Sequence, residues 1–241
     1  MDNLDSYSTD IIISYYEALV HNGLFNYEKE IILKFFAVPG KVLDIGCGAG
    51  RTTVAIKNLG HDVIGVDYSP KMIDMAKNIA HDICYEVQDV KNLSYNAETF
   101  DYAVFSFNGL MLIETYEERK RAVLEIYRVL KKNGIFFFST PFLDNKIGKK
   151  YWSDKIKGSN KQFEQLLKIE KIKLGDDIVY ENGVSFHLHI PFIQEICDMM
   201  DECGYEILYS CRRLDRFSTE LLENELDDNY LWVVRKNNVS L

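Results

Sequence analysis

The chain has 241 residues, of which 47% are hydrophobic and only four are proline; this composition excludes a disordered protein and allows one large α/β domain or two small ones. The formal charge of −9 disfavours long-range attraction to nucleic acid and to anionic membranes. No apolar run is long enough to cross a bilayer, and the acidic start MDNLDSYSTD lacks the basic region and apolar core of a secretion signal, so we expect a cytoplasmic protein without nucleic-acid or membrane partners.

Apolar spacing and turn residues predict alternating helices and strands up to residue 140. Helices are predicted at 8–22, 26–37, 50–59, 70–80 and 117–130. Strands are predicted at 41–45, 61–66, 83–87, 100–107 and 135–140, with Asn133-Gly134 as the turn before the last of them. Nearly continuous apolar strands between helices are typical of a parallel sheet that is covered on both faces.

The alternation breaks after Pro141. Residues 144–175 are rich in lysine, and Asn182-Gly183 lies between two β-like runs, which predicts a hairpin within 176–190. A helix from Pro191 to Cys203 and strands at 205–212 and 229–236 are predicted to follow. We expect a single domain with four parts: a helical cap (1–37), a ligand-binding core (38–140), an inserted lid or small antiparallel sheet (141–190), and a C-terminal helix and strands (191–241).

The stretch VLDIGCGAGRTT, residues 42–53, places three glycines directly after a strand: Gly46, Gly48 and Gly50. One glycine would make the turn, so three indicate close approach of a ligand to the backbone. The dinucleotide fingerprint needs a small residue where Arg51 stands, and no Gly-Lys-Ser/Thr follows for a phosphate loop. The negative charge of Asp44 is unfavourable beside a pyrophosphate but favourable beside the ammonium and sulfonium groups of S-adenosylmethionine (SAM). The charges therefore favour SAM as the ligand.

VLDIGCGAG resembles the first motif of class I SAM-dependent methyltransferases. VIGVDYSPKMIDMAK, FDYAVFSFNGL and LKKNGIFFFST resemble later motifs of that family in the expected order. The resemblance is close over 38–140 and extends over 185–236 by topology. It implies a Rossmann-like, doubly wound, mostly parallel seven-stranded sheet with the last strand antiparallel, an N-terminal helical cap and a lid insertion after strand five. It also implies SAM as cofactor and S-adenosylhomocysteine as product.

The resemblance also implies which residues bind the cofactor. Asp67 would accept hydrogen bonds from the ribose hydroxyls, Asp89 would accept one from the adenine amino group, and the backbone N–H of Val90 would meet the ring. Met72 would lie near the adenine or belong to the core, and Tyr16 would touch the cofactor or only pack its helix. The full set expected at the cofactor is Asp44, Gly46, Cys47, Gly48, Asp67, Tyr68, Met72, Asp89, Val90, Phe105 and Tyr16.

The methyl acceptor has fewer candidate residues. His187 and His189 lie two apart in a predicted strand, so both project from one face. If that face looks toward the cofactor, one of them could act as a general base; the alternative is that both only pack the hairpin. Asn108, just past strand four, is expected to line the acceptor site, and Tyr151 with Trp152 could form a mobile aromatic wall.

The sequence narrows the acceptor class by exclusion. Ser106-Phe107-Asn108-Gly109 stands where amino-methylating nucleic-acid enzymes carry a D/N-P-P-aromatic motif, and the Pro-Cys of base-carbon enzymes is absent. The five cysteines show no CxxC pair or zinc-ligand spacing, so no metal is expected. We expect a monomer or homodimer that methylates an O or N atom of a small molecule or peptide. The alternative is a SAM-binding sensor or partner protein without transferase activity.

Overall fold

The computed structural model describes residues 3–143, 175–181, 184–217 and 228–237. Its strands are β1 (Lys41–Ile45), β2 (Asp62–Asp67), β3 (Cys84–Val87), β4 (Phe100–Phe105), β5 (Leu130–Thr140), β6 (Asp176–Glu181), β7 (Val184–His189), β8 (Tyr205–Arg212) and β9 (Tyr230–Lys236). Its α-helices are α1 (Asn3–Tyr7), α2 (Asp10–Val20), α3 (Asn26–Phe35), α4 (Arg51–Asn58), α5 (Pro70–Ile79), α6 (Tyr116–Val129), α7 (Ile193–Glu202) and α8 (Arg213–Arg216). None of the helices in these ranges is long and apolar enough to span a membrane.

The central sheet has seven strands in the order β3-β2-β1-β4-β5-β9-β8. Strand β1 pairs in parallel with β2 on one side and β4 on the other, while β9 is antiparallel to both β5 and β8. The strand order reverses between β1 and β4, because the connections after these two strands lead to opposite sides, and such a reversal opens a crevice at the carboxyl ends of the strands where α/β proteins bind ligands. The predicted Rossmann-like sheet with an antiparallel last strand is confirmed.

Different helices cover the two faces of the sheet. On one face, Val42 of β1 lies in a buried cluster with Ile31 of α3. On the other, Phe136 of β5 is buried with Ile126 of α6 and Met199 of α7. Because both faces are buried, the strands are apolar along their length rather than alternating, which explains why the sequence pattern predicted them well.

The N-terminal cap differs from its prediction. Instead of one helix over 8–22, the chain forms α1, a break, and α2, which begins after an extended Thr9 with ψ 145°. Asn3 and Ser6 of α1 donate side-chain hydrogen bonds to carbonyls of β7. The tertiary contacts with β7 therefore stabilise a short helix that has no amphipathic period of its own.

Two strand boundaries also differ from the prediction. Strand β5 begins at Leu130, so Asn133-Gly134 lies inside it as a bulge, with Asn133 left-handed at φ 62°. Strand β4 ends at Phe105 rather than residue 107, because Phe107 and Asn108 both adopt positive φ.

The predicted hairpin is present as a separate two-stranded sheet of β6 and β7, with Glu181 paired to Val184. Its Asn182-Gly183 turn, and the lysine-rich segment with Tyr151 and Trp152, lie outside the described residues.

Candidate active site

A cavity of about 370 Å³ opens at the carboxyl ends of β1, β2, β3 and β4. The glycine turn forms one wall, and α1, α2 and the segment after β4 close over it. All the residues expected at the cofactor except Asp44 and Cys47 line this cavity. Most of the residues that the resemblance assigns to the cofactor therefore meet at one cavity.

The glycine turn is held against the end of β2. Gly46, Gly48 and Gly50 have φ of 61°, 53° and 95°, values that side chains other than glycine rarely tolerate. The backbone N–H of Gly48 donates to Oδ2 of Asp67 at 2.9 Å, and that of Cys47 donates to the Val66 carbonyl at 3.0 Å. The turn consequently presents bare backbone to the cavity in a fixed position.

Asp67 is both part of this support and part of the cavity wall. Its Oδ1 accepts from the backbone N–H of Ser69 at 2.8 Å, and its Oδ2 from Gly48. Burial raises the pKa of Asp67, although these backbone hydrogen bonds act against the rise. Each carboxylate oxygen has a second lone pair, so Asp67 retains the capacity to accept two further hydrogen bonds from a ligand.

Asp44 does not lie at the mouth of the turn as expected. Its side chain is buried behind the turn, where Oδ2 accepts from the hydroxyls of Thr52 and Thr53, each at 2.6 Å. Oδ1 is buried without a partner, and burial raises the pKa of Asp44 to about 6. Asp44 thus fastens the first turn of α4 to β1, because the alternation of β1 directs it away from the cavity.

Cys47 is likewise absent from the lining. Its side chain packs in a buried cluster with Ile73, Ala76 and Tyr85. Burial raises the pKa of the thiol well above its ordinary value. Only the backbone of Cys47 contributes to the turn, so its expected place at the cofactor stays a prediction that rests on the backbone alone.

Asn108 faces away from the cavity, contrary to expectation. Its Nδ2 donates to Oδ1 of Asn229 at 3.1 Å, and its backbone N–H donates to the Ser139 hydroxyl. The left-handed backbone at this position turns the side chain toward the beginning of β9. The residues on either side of it, Phe107 and Gly109, line the cavity instead.

The two histidines share one face of β7, as predicted, but it is the face turned away from the cavity. Nδ1 of His189 lies 2.6 Å from Oδ1 of Asp176, and Nε2 of His187 lies 3.7 Å from the same atom. Phe186, which directly precedes His187, points to the opposite face and packs in a cluster with Met72 at the cavity. Neither histidine is among the described residues that line the cavity, which favours the alternative that both pack the hairpin; a general-base role stays an untested prediction.

His189 is buried between carboxylates of two elements. Its Nε2 lies 2.9 Å from Oε1 of Glu195 on α7, and Arg119 of α6 approaches the same oxygen at 3.9 Å. Because both ring nitrogens face carboxylate oxygens, the doubly protonated ring satisfies both contacts. Burial opposes that charge, but the hydrogen bonds that the ring donates to Asp176 and Glu195 outweigh burial, and the pKa of His189 is raised.

The raised pKa predicts pH-dependent stability. A histidine whose pKa is higher in the folded state contributes stability that is fully present below its ordinary pKa of about 6.5 and is lost as pH rises through the folded value. We expect the free energy of unfolding, measured in urea, to fall more steeply above pH 6.5 in the unaltered protein than in His189→Gln. The control is His61→Gln, since burial lowers the pKa of His61. Equal slopes for the unaltered protein and His189→Gln would contradict the assignment.

Several lining residues carried no signal in the sequence. The side-chain amide of Asn3 donates to the carbonyls of Leu112 and His187 and accepts from the His187 N–H, joining α1, the segment after β4, and β7. Lys91 lies 2.8 Å from Glu118 and 3.9 Å from Asp89. These contacts join elements far apart in the chain, which a periodicity argument cannot detect.

Comparison with known proteins agrees with the geometry. Residues 43–138 match a family model described as a methyltransferase domain. The chain is 29% identical over 203 residues to an uncharacterized protein of Methanocaldococcus jannaschii, covering 83% of this chain and 72% of that one. It is 36% identical over 118 residues to a ubiquinone biosynthesis O-methyltransferase of Coxiella burnetii, covering 47% of each chain, so the match spans about half of that enzyme.

A solved structure supports the same assignment at the level of the fold. A SAM-dependent methyltransferase from Methanosarcina mazei superposes with a TM-score of 0.70 at 20% identity, covering 89% of this chain and 99% of that one. The matched domain spans the glycine turn and β1 to β5, which form most of the cavity floor. Residues 43–138 accordingly form a methyltransferase domain, in a chain that has the fold of SAM-dependent methyltransferases.

Proposed function

We propose that the protein transfers the methyl group of SAM to an O or N atom of a small molecule or a peptide. The observation that carries the proposal is the joint placement of the Gly48 backbone and the Asp67 carboxylate on one wall of the cavity. The cavity volume of about 370 Å³ falls in the range of small-molecule sites. Bare backbone and an acceptor-only carboxylate suit a ligand that carries hydroxyl groups and positive charge.

The lining residues divide between the parts of the cofactor. Asp67 would accept from the ribose hydroxyls, with charge-assisted hydrogen bonds that are among the stronger kinds. Asp89, Val90 and Met72 lie on the side of β3 and α5 and would hold the adenine. The glycine turn would hold the amino-acid portion, since it is next to β1 at the centre of the crevice.

Chemistry in this site relies on placement. SAM, when bound, supplies a methyl group activated by its sulfonium. The described lining residues include no histidine, so they provide no imidazole base. What the chain contributes is orientation and exclusion of water by α1, α2 and Phe107, and ordered geometry alone is worth up to about 7–11 kcal/mol of a barrier.

The direct test is calorimetric titration with S-adenosylhomocysteine, with NADH as the control ligand. Micromolar binding of the first alone supports the proposal, and methyl uptake from labelled SAM by an acceptor separates a transferase from a binding protein. No binding of S-adenosylhomocysteine to the folded protein would contradict the proposed cofactor site.

The substitution Asp67→Ala should weaken binding of S-adenosylhomocysteine by about ten- to a hundredfold, because a hydrogen bond to a charged group contributes about 1.5–3 kcal/mol. The matched control is Asp62→Ala, which removes an exposed carboxylate at the other end of β2. Asp67→Asn keeps one oxygen acceptor and should fall between the two. Unchanged affinity for S-adenosylhomocysteine in Asp67→Ala would contradict the assignment of Asp67 to the ribose hydroxyls.

A further inference from the structure

The cavity extends beyond the part that the cofactor would fill. In the sheet, β3, β2 and β1 are consecutive and β4 follows on the far side of β1. Asp89, Asp67 and the glycine turn follow the first three strands, whereas Ser106 and Phe107 line the cavity after β4. If the cofactor lies over the first three strands, the end at β4 is left for the methyl acceptor; this step rests on the proposed function.

Phe107 is held there in a conformation that is unusual for a large side chain. Its φ is 57°, in the left-handed region, which bulky residues occupy only as outliers. Its ring remains 37% exposed although it belongs to the cavity wall. Strained backbone of this kind is retained mainly where a ligand is bound, so both observations point to Phe107 as a ligand contact.

Two aromatic side chains pack against the Phe107 ring, which keeps 37% of its surface exposed. Phe25 stacks behind it, with centroids 5.9 Å apart and an interplanar angle of 21°. Tyr16 meets it at an angle of 69°, with centroids 6.3 Å apart. A partly exposed ring that is packed against other aromatic side chains is complementary to another planar ring, because aromatic pairs favour offset stacking at such distances.

The charges near Phe107 select against an ionised acceptor. The guanidinium of Arg51 already lies 5.7 Å from the Phe107 ring centroid and 4.3 Å from that of Phe25, so it would repel a second cation placed directly on the Phe107 ring. An anion would find no free cation, since Lys91 is the only basic residue among the described lining residues and is paired with Glu118. The hydroxyl of Ser106 is the polar group next to the ring in the chain.

We propose that Phe107 is a specificity-determining residue that stacks on the methyl acceptor, and that the acceptor is an uncharged planar aromatic or heteroaromatic compound carrying a hydroxyl or N–H group. The stacked ring supplies the apolar contact and fixes the plane of the acceptor. The hydroxyl or N–H is the group that receives the methyl, and its proton passes to solvent or to a basic group of the acceptor.

The test compares a planar aromatic diol with a saturated diol of the same ring size. Catechol and trans-cyclohexane-1,2-diol carry the same two hydroxyls on a six-membered ring, and each is titrated by ligand-observed NMR against the protein saturated with S-adenosylhomocysteine. We expect catechol to bind at least about threefold more tightly, as stacking energies indicate. Equal binding of the two diols, or tighter binding of benzylamine than of catechol, overturns the proposal.

Variants of Phe107 test whether the preference for catechol depends on this residue. Phe107→Leu should weaken catechol binding about three- to tenfold, a larger loss than any loss of affinity for S-adenosylhomocysteine, and Phe107→Tyr should retain catechol binding. The control is Phe192→Leu, since Phe192 is also 37% exposed but does not line the cavity. Identical catechol affinities in Phe107→Leu and Phe192→Leu overturn the assignment. Failure of the unaltered protein to bind S-adenosylhomocysteine would instead contradict the proposed function.

Discussion

Glu28→Ala is expected to lower the free energy of unfolding by about 3–5 kcal/mol, because it leaves a buried guanidinium without its counter-ion. The Glu28 side chain is fully buried, and its two oxygens accept from Arg51 at 2.6 and 2.8 Å. It also accepts from the backbone N–H of Phe25, which caps α3. Burial disfavours the charge on Arg51, but Glu28 outweighs this effect and the pKa of Arg51 is raised.

The matched control is Glu30→Ala in the same helix. Glu30 is paired with Arg216, but about half of each side chain is exposed, and such surface pairs contribute about 0–1 kcal/mol. Urea unfolding of both variants measures the difference. A second variant, Glu28→Leu combined with Arg51→Met, removes both charges and should recover much of the stability. A loss in Glu28→Ala no larger than that in Glu30→Ala would show that the buried pair is not needed.

Arg51 illustrates what the sequence could and could not show. Its presence after the third glycine excluded the dinucleotide fingerprint, and residues 43–138 match a methyltransferase domain. Its structural role was not predictable, because the partner Glu28 lies in an earlier helix and no local pattern connects the two residues. The identity of Arg51 alone was enough to exclude the dinucleotide fingerprint, whereas its pairing with Glu28 could be found only from the tertiary fold.

The same limit explains the histidines. The strand period of two correctly placed His187 and His189 on one face. It could not indicate which face, because that depends on whether α1 or α7 packs on a given side of the hairpin. Phe186 was the available signal: a large apolar residue between two polar ones indicates the buried face, which here is the face toward the cavity.

The fold itself was largely predictable since strong local signals agree with it. Four-to-six-residue apolar runs and a cap-then-proline start at Ser69-Pro70 gave β1, β2 and α5 within a residue or two. Errors arose at residues with positive φ, such as Asn108 and Asn133. There, tertiary contacts impose a conformation that the residue type does not demand.

Gly48→Val is expected to reduce binding of S-adenosylhomocysteine by more than about a hundredfold, since it combines two effects at one position. Gly48 has φ 53°, which a β-branched residue adopts only with strain. A Cβ there would lie 3.4 Å from Cδ1 of Tyr16, on the side of the turn that faces the cavity. The added methyl groups would occupy the space between the turn and α2 where the cofactor is proposed to lie.

Gly60→Val separates strain from blockage of the site. Gly60 also has positive φ, at 93°, but a Cβ there meets nothing within 4 Å, and the residue does not line the cavity. Both variants should lose stability in urea, because both force a branched side chain into the left-handed region. Only Gly48→Val should lose binding at a temperature where both are folded. Equal affinity in the two folded variants would mean that the ligand does not approach the glycine turn, and the cofactor would then have to be placed elsewhere in the crevice.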